Sequence, residues 1–249
     1  MARMWMMAAV AAVALTASAV QAATPPNIAA ALADKGRPAE EAARDAARKP
    51  GELLEYAGVK PGQKVVDLVM GGGYFTRLLS VAVGPKGEVI AYQPSEFIQF
   101  QAKYGEDQKK VAAAYANVKP LTSTFGALDL PDGVDLVLTV QNYHDMHLTP
   151  FPKDTAARVN AEVFKSLKPG GLYVIVDHVA PAGSGLEPPQ KLHRIDPAIV
   201  KQEVEAVGFK LESESPLLKD SSDSHDKSVF DPSIRGKTDQ FIMKFRKPK

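Results

Sequence analysis

The run VVDLVMGGGYFTRLL, Val65–Leu79, decides the fold. Its first half is apolar apart from Asp67 and reads as a strand buried on both faces. Gly71-Gly72-Gly73 then permits a tight turn in which the backbone can approach a ligand closely. Phe75, Leu78, Leu79 and Ala82 mark one face of a following helix. Strand, glycine-rich turn and helix in that order form the usual cradle of nucleotide-type cofactors. Val69 stands where such a turn normally carries something smaller. A β-branched residue resists positive φ, so we expect this turn to take another path or not to need that conformation.

The same alternation continues down the chain. EVIAY from Glu88, a short strand over Asn117–Leu121, VDLVLTV from Val134 and LYVIVDH from Leu172 read as further strands. Helical runs separate them near Ser95–Tyr104, Lys109–Tyr115 and Asp154–Leu167, and another follows at Asp196–Val207. The strand runs are apolar throughout rather than alternating, which is the pattern of a parallel sheet covered by helices on both faces. FKLESESPLL and DQFIMKFRK close the chain with no helix between them, so the last pair is expected to be antiparallel. The predicted fold is α/β: a Rossmann-like, open, mostly parallel twisted sheet of about seven strands.

Upstream, PAEEAARDAARKP from Pro38 predicts one helix, with Glu40 and Glu41 in its first turn and Arg48 and Lys49 at its end. GELLEYAG, from Gly51, predicts a short one. Residues 23–36 read as a loose lead-in, and 37–249 as one domain. Residues 1–22 have the pattern of a cleavable leader: Arg3, an apolar Ala-rich stretch, and Val20-Gln21-Ala22 before a cut. The apolar stretch is short for a membrane span, so we expect export to the periplasm or beyond, with no span after cleavage.

With no cysteine in 249 residues, disulfides, thiolate metal ligands and a Cys nucleophile are excluded. Without Arg3, Lys+Arg falls from 30 to 29, against 29 for Asp+Glu. Such a balance argues against a non-specific nucleic-acid binder. The oligomeric state is not legible.

In an open parallel sheet, ligands bind beyond the carboxyl ends of the strands. That rule selects the glycine loop, Gln93, Gln141–His147, and Asp177-His178, which together hold three of the five histidines. His144 with Asp145 offers a general base and an orienting carboxylate, or else a loop cap. Asp177-His178 ends a strand where substrate-facing residues lie, or else anchors a loop. His144 and His147 are three apart and permit shared metal ligation, but that spacing arises readily by chance and no metal is assigned. Tyr74 and Tyr143 are open candidates for stacking on a ligand ring. His193-Arg194 with Asp196 reads as helix capping plus a surface ion pair, or else the long Pro/Gly-rich loop before it folds over the crevice as a lid.

VVDLVMGGGYFT, VDLVLTV and LKPGGLYVIVD, taken in order, resemble the class I S-adenosylmethionine-dependent methyltransferases. With RKP, QNYHD, VDH, LHRID and FDPSIRGKTDQF, the chain more narrowly resembles a group of predicted exported bacterial methyltransferases. The resemblance implies S-adenosylmethionine held by Asp67, Gly71, Gly72, Gly73 and Gln93, with Asn142 near its methionine end. It implies catalytic roles for His144, Asp145, Asp177 and His178. Against the wider family pattern, Val69 replaces a glycine, Gln93 replaces the ribose-binding carboxylate, and Gly126 falls where an acidic residue near the adenine is expected. Ser123 and Thr124 are the nearest substitutes for that acid. The function so implied is methyl transfer to a small molecule outside the cytosol. Because the donor is made in the cytosol, an alternative stands: a non-methylating protein on this fold, binding another small ligand or a metal at the strand ends.

Overall fold

The computed structural model of the protein describes Met1 and residues 23–249. Beyond Met1, the leader expected over residues 1–22 lies outside the described residues. The elements run α1 (Pro26–Leu32), α2 (Ala39–Ala42), α3 (Asp45–Arg48), α4 (Pro50–Ala57), β1 (Lys64–Leu68), α5 (Tyr74–Val83), β2 (Glu88–Pro94), α6 (Ser95–Phe100) and α7 (Lys103–Ala114). They continue with β3 (Val118–Ser123), β4 (Val134–Val140), α8 (Thr155–Ser166), β5 (Leu167–His178), α9 (Glu187–Leu192), α10 (Pro197–Ala206), β6 (Lys210–Ser215) and β7 (Gln240–Arg246).

The seven strands form one sheet in the order β3-β2-β1-β4-β5-β7-β6. The first five are parallel, and β7 runs antiparallel between β5 and β6. The apolar strand runs explain the layering. Along β1 and β4, Val65 and Leu136 bury into one face with α1, α4 and α5, while Val66 and Val137 bury into the other with α8 and α10. Both faces are covered, so these two strands are largely apolar; the exceptions inside them are Asp67 and Asp135, each hydrogen-bonded, and the buried Thr139. Strand order reverses between β1 and β4, which opens a crevice at their carboxyl ends.

Two expectations upstream of β1 are corrected. The lead-in is not loose: Pro26 starts a helix that buries Ile28 and Ala31 in the core. The Asn27 amide ties it down by donating to Val59 O and Ala82 O, 3.3 and 3.1 Å away. The single helix expected from Pro38 is two separate turns, α2 and α3. Lys49 ends the second in the left-handed region, φ 43°, just before Pro50 starts α4.

Candidate active site

Beyond the ends of β1, β2, β4 and β5 lies a cleft of about 1190 Å³, larger than a single small ligand needs. Its floor is the turn after β1. Val69 does adopt positive φ, 69°, so the turn keeps its usual path and places a β-branched residue in the strained conformation. Two things hold it there: the Val69 side chain is buried, and the next amide, Met70 N–H, donates to Tyr92 O at 2.9 Å. Packing and pairing on both sides over-determine the turn, and the expectation of a different path is withdrawn.

Gly71 and Gly72 line the cleft. Gly71 has φ 55°, and a Cβ there meets no atom within 4 Å, so its surface is open for a ligand. Gly73 does not line the cleft. Its φ is 90°, and a Cβ would stand 2.7 Å from Val111 Cγ2, so it serves the junction of α5 with α7. Asp67 faces the cleft with one oxygen held by the Thr76 hydroxyl at 2.6 Å. Burial outweighs that hydrogen bond and raises its pKa to about 6.

Gln93 ends β2 wholly buried and off the cleft surface, with neither end of its amide partnered. A buried unpaired amide is costly, so this one is a standing acceptor and donor for a group that reaches it. Gly126 does not line the cleft: it sits in a 3-10 turn lining a separate hollow with Arg158 and Glu162. The cleft carboxylate bonded to that turn is Glu96, at the start of α6, whose Oε1 accepts from Phe125 N at 3.2 Å. Neither Ser123 nor Thr124 reaches the cleft.

The loop after β4 divides its residues between cleft and core. Gln141, at φ 65°, accepts from Arg48 Nη2 at 3.2 Å and donates to Gln240. Asn142 lines the cleft and donates to Asp145 Oδ2 at 2.9 Å. Tyr143 points away: its buried hydroxyl donates to Glu203 and accepts from Asn160. His147 also turns to Glu203, 3.2 Å away, so the His144–His147 ligand pair does not form. A one-turn 3-10 helix, 144–147, separates these two fates.

His144 is the centre of the group. Its Nδ1–H donates to Asp177 at 2.8 and 3.0 Å, and its backbone N–H donates to the same carboxylate at 2.8 Å. Its Nε2 lies 3.3 Å from Asp145 Oδ1 and 3.3 Å from His193 Nδ1. Burial opposes charge on this ring, but Asp177 and Asp145 overcome it and lift the pKa to about 9. In the ion-free site those two carboxylates favour the charged, donating form of His144. Burial raises Asp145 despite His144 and Asn142, which makes that carboxylate the acceptor of the pair. Asp177 is fully buried and off the cleft, so it positions His144 rather than meeting a ligand. His178 does line the cleft, bonded through Nδ1 to Thr238 Oγ1 at 2.8 Å, and burial lowers its pKa to about 4.

Several cleft residues escaped the sequence reading. Glu41, Arg44 and Arg48 form a wall from the α2–α3 segment. Arg37 holds that segment through Asp45 at 2.6 Å, and Arg77 through Glu41 at 2.6 Å. The Arg48 guanidinium lies over Tyr74 and Phe75, 4.4 and 4.9 Å from the ring centroids. His193, expected to cap a helix or to follow a loop folding over the crevice, faces His144 edge-on with φ 54° at the end of α9. Its neighbour Arg194 is fully buried and paired with Asp223 at 2.8 Å, not a surface ion pair. Asp196 caps α10 as expected, accepting from Ala198 N at 2.9 Å.

A model of the ubiE/COQ5 methyltransferase family matches residues 48–195. The Pasteurella multocida (strain Pm70) ubiquinone/menaquinone biosynthesis C-methyltransferase UbiE is 31% identical over 144 residues, 56% of this chain and 48% of that one. The Legionella pneumophila (strain Lens) protein of the same name is 27% identical over 139 residues, covering 54% and 50%. The chain thus spans about half the length of the curated relatives it matches. Among solved structures, a SAM-dependent methyltransferase from Aquifex aeolicus superposes with TM-score 0.57 at 19% identity, covering 82% of this chain and 98% of that one. The [4+2]-cyclase SpnF gives TM-score 0.57 at 18% identity, covering 86% and 84%. At these identities the structures bear on fold alone.

Proposed function

This chain belongs to the ubiE/COQ5 methyltransferase family, and on that premise we propose that it transfers a methyl group from S-adenosylmethionine to a small-molecule hydroxyl or activated carbon. The observation that carries the reading is one cleft joining the Gly71-Gly72 turn to the His144–Asp145 pair.

The residues fit the donor. Gly71 leaves open surface and Asp67 keeps one oxygen free of Thr76, while the Gln93 amide expected to meet the donor lies buried off the cleft surface. Arg48, with Asn142 across the cleft, supplies a cation for a carboxylate. When bound, S-adenosylmethionine supplies an electrophilic methyl group. The chain's own part is placement and proton handling. Asp145 accepts the acceptor's proton, and His144, held charged by Asp177, stabilises the oxyanion left behind. Phe97, Phe151 and Leu148 give the cleft an apolar side, which suits a ring-bearing acceptor. The relatives' names, which refer to quinone biosynthesis, point the same way.

Calorimetric titration of the chain with S-adenosylmethionine and S-adenosylhomocysteine tests this. We expect micromolar binding, weakened roughly tenfold to a hundredfold in Asp67→Asn by loss of a charge-assisted hydrogen bond. Silence at millimolar ligand in both proteins refutes the donor assignment. Export belongs to the same proposal and is supported by Arg3, the apolar run and Val20-Gln21-Ala22. Mass spectrometry of the protein from its native host should find an amino terminus at Ala23; an intact Met1 removes the exported reading.

A further inference from the structure

We propose that His144, Asp145 and His193 form a binding site for a first-row divalent cation of the Zn²⁺ type in the cleft wall. One ligand atom from each residue lies within 4.8 Å of the others. The His144 Nε2 to Asp145 Oδ1 and His144 Nε2 to His193 Nδ1 separations are both 3.3 Å. A tetrahedral ion with bonds of about 2.0–2.1 Å sets its ligand atoms about 3.3–3.4 Å apart, so two of the three edges already have the required length.

The outer contacts match a metal site as well. Zinc-binding imidazoles characteristically donate their other ring N–H to a carboxylate, which fixes tautomer and ring direction. Asp177 does this for His144, at 2.8 and 3.0 Å on Nδ1, leaving Nε2 aimed at the other two donors. Asn142 holds Asp145 by Oδ2 at 2.9 Å and leaves Oδ1 for the centre. His193 is fixed between the His144 ring and Phe230, 5.3 and 4.7 Å away by ring centroids. Hydrogen bonding alone uses this cluster poorly, since one proton at most can occupy the gap between the two facing ring nitrogens. Two imidazoles and a single carboxylate select Zn²⁺, Co²⁺ or Fe²⁺ over Mg²⁺ and Ca²⁺. All three residues border the cleft, so the fourth position opens onto it. Ion binding displaces the His144 Nε2 proton, so at this position the cation takes over from that proton the stabilisation of an acceptor oxygen, and this last clause alone rests on the methyltransferase reading.

The test is titration of the chelator-stripped full chain with Zn²⁺ by calorimetry and with Co²⁺ by visible absorption, without S-adenosylmethionine. We expect one ion per chain, with tetrahedral cobalt bands. His193→Asn, which tolerates the left-handed backbone, should weaken binding by at least about a hundredfold. Asp177→Asn should weaken it by roughly tenfold to a hundredfold through His144 orientation. His147→Ala, whose ring lies on Glu203, should leave it unchanged. Absence of stoichiometric binding, or equal binding by His193→Asn, overturns the site. Parallel S-adenosylmethionine titrations keep the two readings apart: donor binding without metal binding refutes the cation site and leaves the methyltransferase reading standing.

Discussion

Asp223→Asn should be among the most damaging single changes in the protein. Arg194 and Asp223 are exposed by only 0% and 1% of their side chains, and they meet in a double contact, Nη1–Oδ2 2.8 Å and Nη2–Oδ1 3.0 Å. The guanidinium's other donors reach only carbonyls, Val179 O at 2.9 Å and Lys227 O at 2.8 Å. Asp223 also accepts from the backbone of Asp239 at 2.7 Å and of His225 at 3.1 Å. The asparagine keeps the shape but leaves a buried cation without counter-charge, which costs about 3–5 kcal/mol. That is about a fifth or more of a total stability of about 5–15 kcal/mol. At about 2–4 °C per kcal/mol for a chain of this size, Tm should fall by roughly 6–20 °C. The loop this pair anchors brings Val229 and Phe230 to the cleft, so limited proteolysis should cut within 219–237 before the sheet unfolds. Urea unfolding followed by circular dichroism gives the free energy. Arg194→Met with Asp223→Leu should recover at least about 2 kcal/mol of the summed single losses, since both charges leave together. A loss below about 1 kcal/mol for Asp223→Asn would mean the pair behaves as an exposed one and refute the argument.

Three further outcomes follow from the site. In chelated protein, imidazole NMR should find His144 charged until about pH 9, against an ordinary 6.5, and Asp177→Asn should drop it sharply because burial then faces Asp145 alone. A folded pKa above the unfolded one stabilises fully below about pH 6.5 and loses that contribution as pH rises through about 9, here about 3 kcal/mol at 1.36 kcal/mol per pH unit. The wild-type stability should therefore slope downward over that window and flatten in Asp177→Asn; parallel slopes would contradict the assignment. Gly73→Ala should cost roughly 2 kcal/mol or more in thermal unfolding, through its clash with Val111 and its φ of 90°. Gly71→Ala, with no atom to strike, should cost about 1–2 kcal/mol through φ alone and chiefly weaken S-adenosylmethionine binding.

The sequence by itself determined the sheet, its layers and the end at which chemistry sits. Apolar runs such as Val134–Val140 can be stable only when covered on both faces, and the strand-to-helix alternation leaves one place for a crevice. Gly71, Asn142, His144 and Asp145 could thus be placed at the cleft from topology, and Asp67 from the family resemblance. Tertiary structure decided what each group does there. Whether Val69 could hold φ 69° depended on its burial and on a backbone bond to Tyr92, a partner 23 residues away. His144 reads as a base until Asp177, 33 residues on, presses a second carboxylate against it and keeps it charged. Arg48 and His193 carry no local mark of function; the fold brings them to the cleft from opposite ends of the chain. Charge state, strain and convergence are properties of neighbours, and neighbours of this kind are set by packing rather than by adjacency in the chain.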